Sequence, residues 1–106
     1  MKPHMQPQLY RQGDVLFRLI HQLPEGPRKV RDSGVLAYGE ATGHTHALAD
    51  LDTGEVIEIG AGLYLHAGEQ GVSIHHQEHR AITLPAGDYA VTIQREYSPE
   101  EIRNVA

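Results

Sequence analysis

The chain has 106 residues, 40% hydrophobic and 22% charged, with eight histidines, no cysteine and a net charge of −5 when the histidines are neutral. This length makes one domain with a core of its own. The missing cysteines exclude disulfides and thiolate metal sites, so any metal must rest on His, Asp, Glu or water. No apolar run approaches the ~20 residues of a membrane-spanning helix, and the acidic balance argues against a nucleic-acid partner, whose phosphates call for Lys and Arg.

Residues 1–8, with Pro3, Gln6, Pro7 and Gln8, read as a flexible N-terminal arm, because proline and glutamine favour solvated, extended backbone. Lys2 is followed by no apolar stretch of the secretory kind, and a cytoplasmic location is expected. Residues 9–97 read as a single β-domain. Gly13-Asp14 is turn material, and Val15-Leu16-Phe17-Arg18-Leu19-Ile20 is β-branched and aromatic, which predicts a strand. Leu23 to Pro27 cannot continue it, and the basic stretch Arg28-Lys29-Val30-Arg31 reads as a solvated loop. Short strands are expected at Val35–Tyr38 and His44–Leu48, with a bend from Gly39 to Gly43 between them.

Asp52-Thr53-Gly54 reads as a hairpin-like turn. Further strands are predicted at Glu55–Ile59, Leu63–His66, Val72–His76 and Arg80–Leu84, separated by glycine-bearing turns. After the turn Pro85-Ala86-Gly87-Asp88, the segment Tyr89–Tyr97 alternates most cleanly: Tyr89, Val91 and Ile93 face one way, Thr92, Gln94 and Glu96 the other. Roughly seven or eight short strands, with turn signals every ~8–12 residues, predict an all-β fold, a small antiparallel β-barrel or β-sandwich. Residues 98–106 differ. Ser98, Pro99 and Glu101 form a capping box with proline at the first helical position, which predicts a short C-terminal helix.

Chemistry concentrates in two histidine clusters, His44-Thr45-His46 and His75-His76-Gln77-Glu78-His79. Histidine is the commonest metal ligand. In a strand, residues i and i+2 share a face with Cβ atoms about 7 Å apart, so His44 and His46 can converge on one ion. Taken alone, H-x-H is a weak signal. His79, on a polar turn, is the expected third ligand. His76 shares the parity of Val72 and Ile74 and looks inward, while His75 looks outward. His66 shares parity with Tyr64 and has no assigned partner. Asp50 and Glu78 are candidates for a carboxylate that orients a ligand or serves as a base. Glu40, four residues before His44, is a further carboxylate candidate. Three neutral histidines with an open position suit a catalytic or sensing site rather than a closed structural one.

The glycine at 39, His44 and His46, Asp50, and Gly54 or Gly60 beyond it fall in the order of the first motif of the cupin superfamily, which this segment resembles, with Asp where glutamate is usual. Pro85-Ala86-Gly87 resembles the turn of the second motif, with Ala90 where that motif places a histidine. The resemblance covers residues 35 to 93. It implies a small β-barrel with a metal near its middle and a homodimeric assembly, and no fixed chemistry.

Three functions fit these residues. The first is a protein that binds a divalent transition metal, Zn or Fe favoured, through His44, His46, His76 and His79, and acts as a metal-dependent enzyme on a small-molecule substrate. The second is a metal-free enzyme whose histidines cleave a phosphodiester by acid–base catalysis. The third is a metal-free β-module for binding or assembly.

Overall fold

The computed structural model describes residues 8–38 and 44–94. Most of the N-terminal arm, the 39–43 bend with Glu40, and the expected C-terminal helix lie outside the described residues.

The first hairpin sets the pattern. Strand β1, Leu9–Gln12, turns through Gly13 and Asp14 into β2, Val15–Ile20, with Gln12 opposite Val15. Gly13 has φ of 61° and Asp14 has no positive φ, as in a two-residue turn of type II′, whose first central position favours glycine. Within β2 the apolar parity is obeyed: Val15 and Phe17 are buried, and Arg18 is exposed.

The remaining strands are β3 (Arg28–Val30), β4 (Val35–Tyr38), β5 (Thr45–Leu48), β6 (Gly54–Ile59), β7 (Gly62–Ala67), β8 (Val72–His75), β9 (Ile82–Leu84) and β10 (Gly87–Ile93). They form two antiparallel sheets. One has six strands in the order β1-β2-β10-β7-β6-β3, and the other four in the order β4-β5-β8-β9. The chain crosses between sheets after β3, after β5, after β7 and after β9. Buried residues of both sheets make one core, with Phe17, Val56, Leu65 and Tyr89 from the larger and Leu36, Ile74 and Leu84 from the smaller. This is a two-sheet sandwich arrangement, and the sheets do not close into a barrel among the described residues. No helix among those residues is long and apolar enough to cross a membrane.

Three local expectations are corrected. Residues 28–30 are not a loop: Arg28, Lys29 and Val30 pair with Ile59, Glu58 and Ile57 as an edge strand. All three are exposed, so no apolar alternation marked them, and charged side chains on such an edge discourage pairing with other chains. Arg31, just beyond, is held by Glu58 at 2.7 Å and donates to the carbonyl of Val35 at 2.9 Å. Asp52-Thr53-Gly54 is not a hairpin turn: Asp52 and Thr53 end the crossing from β5 to β6, and Gly54 opens β6. Ile93 shares the parity of Tyr89 and Val91 yet is 38% exposed, because it ends its strand.

Tyr89 is fully buried. Its hydroxyl donates to the carbonyl of Pro85 at 2.7 Å, and its ring meets that of Tyr10 edge to face at 6.0 Å. Burial, with a smaller contribution from Tyr10, pushes its pKa up to about 12. Tyr89→Ala is expected to cost about 3–5 kcal/mol of unfolding free energy and Ile93→Ala less than about 1 kcal/mol, measured by chemical denaturation. Because the folded-state phenol ionises later than the unfolded one, its stability contribution is intact below pH 10 and lost as pH rises through about 12. Tyr89→Phe should therefore flatten the alkaline limb of the stability profile.

Candidate functional site

One corner of the sandwich gathers the polar residues that the core excludes. The β1–β2 turn brings Gln12, Gly13 and Asp14 from the larger sheet. The start of β5 brings His44 and His46, and the connection from β8 to β9 brings His76, Glu78 and His79 from the smaller sheet. The two histidine clusters meet there. The His46 ring lies 4.3 Å from that of His76 and stacks at 6.0 Å on that of His79. His76 is 4.6 Å from His79 and edge-on to His44 at 5.5 Å.

Gln12 organises this corner. It is only 2% exposed, as is His46. Its amide nitrogen donates to the carbonyls of Ile74 at 2.8 Å and Arg80 at 3.0 Å. Both amide protons are thus committed, and the side-chain oxygen faces Nδ1 of His46 at 2.9 Å. That oxygen only accepts, so Nδ1 of His46 carries the proton and, in the neutral ring, Nε2 carries the lone pair. Burial first, then the neighbouring His76, hold the His46 imidazole below its ordinary pKa and keep it neutral, against the opposing pull of Asp14.

Nε2 of His46 lies 3.5 Å from Oδ1 of Asp14. A lone pair therefore faces a carboxylate oxygen across a gap that suits a cation between them. His79 comes close on the same side. A Cβ built on Gly13 would fall 2.6 Å from Nε2 of His79 and 3.3 Å from Cε1 of His46, so the missing side chain makes room for both imidazoles. Nδ1 of His44 is 3.4 Å from Oε1 of Glu78. Gln77 supports this arrangement by accepting from the backbone N–H of Thr45 at 3.0 Å. Among the described residues no three His, Asp or Glu side chains already surround a common point as a bound ion would require.

His76 differs from its neighbours. Its Nδ1 accepts the backbone N–H groups of Glu78 at 3.0 Å and His79 at 3.2 Å. In this rotamer Nε2 carries the proton, which makes that nitrogen of His76 a hydrogen-bond donor. Asp50 is engaged elsewhere, accepting from the backbone N–H of Asp52 at 2.8 Å and lining a depression with Thr53, Glu69 and Gln70. His75 is exposed, and His66 has a partner after all, the carboxylate of Asp88 at 2.7 Å. Sequence reasoning missed Gln12 and Asp14. The only signal for Asp14 was its place in a Gly-Asp turn, and nothing local marked Gln12.

His46 and His76 are both held below the ordinary value of 6.5, each chiefly by burial. The metal-free protein should accordingly keep this contribution to stability above about pH 6.5 and lose it as pH falls through the lowered folded-state values, where the unfolded chain binds protons that the folded one refuses. Gln12→Glu removes both amide donors and sets a charge beside His46. It is expected to cost about 2–4 kcal/mol and to raise the His46 pKa, followed by histidine NMR titration. An unchanged His46 titration in that variant would contradict the contact.

No curated protein and no solved structure matches the chain. Residues 11–94 match the family model described as a domain of unknown function, DUF8820, from the first hairpin to the end of β10. With most of its length matched, and every described residue of the histidine corner within the match, the chain belongs to that DUF8820 family.

Proposed function

We propose that this protein binds a divalent transition metal at the histidine corner, with His46 and Asp14 as the first two ligands and His79 and His44 as the further imidazole donors. The ion is offered to a small oxygen-bearing molecule on a position left open to solvent. Facing lone pairs on His46 and Asp14 carry this reading. Two donors 3.5 Å apart, each about 2.1 Å from one ion, subtend about 113° at it, close to a tetrahedral angle. Nδ1–H of His46, donated to the Gln12 oxygen, is the outer contact that fixes a ligating imidazole in the right tautomer. A set of imidazole and carboxylate donors suits Zn or Fe(II).

The cluster's chemistry favours this over the metal-free readings. His46 is buried and its Nδ1–H is committed to Gln12, so it is poorly placed to reach and exchange protons with a phosphodiester. A histidine 2% exposed is also a poor handle for a partner protein.

Protein carrying no affinity tag is expected to take up about one equivalent of Zn²⁺ and to release it to EDTA. His46→Ala and Asp14→Asn should each weaken binding by about 100-fold or more while the fold persists. Gly13→Ala, forced into a left-handed backbone conformation and pressed against His79, should cost about 1–2 kcal/mol of stability and weaken Zn²⁺ binding as well. Uptake below about a tenth of an equivalent, or equal affinity in the Asp14 and His46 variants, would refute the assignment.

A further inference from the structure

The odd imidazole of the corner points to what the ion would hold. We propose that His76 is not a ligand but a hydrogen-bond donor, whose Nε2–H binds an oxygen of a small anionic molecule, a carboxylate in the simplest case, seated beside the metal. This rests on the metal reading above and adds a ligand class to it.

The tautomer follows from the loop. The backbone N–H groups of Glu78 and His79 both point at Nδ1 of His76. A neutral imidazole has one proton, and a proton on Nδ1 would be thrust against two other donors. Ligation through Nε2 would force that same clash, because it moves the ring proton to Nδ1. The chain's own turn thus withdraws His76 from metal binding and presets it as a donor. Its ring nevertheless packs beside both His46 at 4.3 Å and His79 at 4.6 Å, among the expected ligands. Within this corner the carboxylates of Asp14 and Glu78 face His46 and His44 respectively. A cation with a neutral N–H donor beside it selects an anionic oxygen: the ion draws the charge, and the donor fixes the orientation without adding a second positive charge.

Co²⁺-loaded protein titrated with acetate, followed by the visible absorption of the metal, tests this. His76→Asn is the informative variant, because asparagine can still accept the two backbone N–H groups in an Asx-type turn yet has no donor at the position of Nε2. It is expected to hold Co²⁺ within about threefold of the wild-type affinity and to lose acetate affinity by at least about tenfold. His76→Asn that loses Co²⁺ as completely as His46→Ala would make His76 a ligand and overturn the proposal, as would unchanged acetate affinity. Wild-type protein that takes up no Co²⁺ would instead remove the metal reading and this proposal with it. Independently of any metal, nitrogen NMR of the His76 ring should show the proton on Nε2, and a proton on Nδ1 would contradict the assignment.

Discussion

The side-chain amide of Gln12 is the contact on which the corner depends. It leaves the end of β1 in the larger sheet and donates to the carbonyls of Ile74, in β8 of the smaller sheet, and Arg80, in the connection from β8 to β9, while its oxygen accepts from His46. Both of its amide protons and its oxygen are bonded, and the contacts to Ile74 and His46 are buried, where an orphaned group costs about 1–3 kcal/mol. An apolar side chain of similar size would strand two carbonyls and one imidazole N–H together. The same amide therefore ties the sheets at this edge and decides which nitrogen of His46 has a lone pair. Structure and chemistry are fixed by one residue, and neither can be altered alone.

From that contact the electrostatics follow. His46 is buried and neutral, and its basic nitrogen faces Asp14. A hydrogen bond to an ionised acceptor is ordinarily about 2.7–2.9 Å long, whereas this pair stands 3.5 Å apart. Such a gap sets an acceptor against an anion, and in the proposed complex a cation would fill it. The glycine at 13 belongs to the same design. Its positive φ closes the hairpin, and its bare Cα lets His79 approach. One residue thus makes the turn that delivers Asp14 and leaves space for an imidazole beside it.

Alternation made most of the fold legible. The strands containing Phe17, Ile74 and Tyr89 bury one parity and announce themselves by it. Residues 28–30 escaped because a short, fully exposed edge strand has no buried parity to display, and Leu9–Gln12 escaped because only Gln12 of its four residues is buried, and that residue is polar. Convergence of the two histidine segments was legible from their parity, with His44 and His46 on one face and His76 turned inward. Asp14 and Gln12 were not, since their importance comes from register: the hairpin turn lies against β5 and β8 only once two sheets have packed. No spacing encodes the backbone N–H groups of Glu78 and His79 that fold back onto Nδ1 of His76.

The central claim is that a cation sits between Nε2 of His46 and the carboxylate of Asp14. Crystals of the Zn²⁺-loaded protein, with anomalous diffraction recorded on both sides of the zinc absorption edge, test it most directly. A single peak about 2.0–2.2 Å from both atoms, with His76 outside the coordination sphere, is the result expected. A peak elsewhere on the molecule, or none at this corner in crystals that contain zinc, would contradict the account.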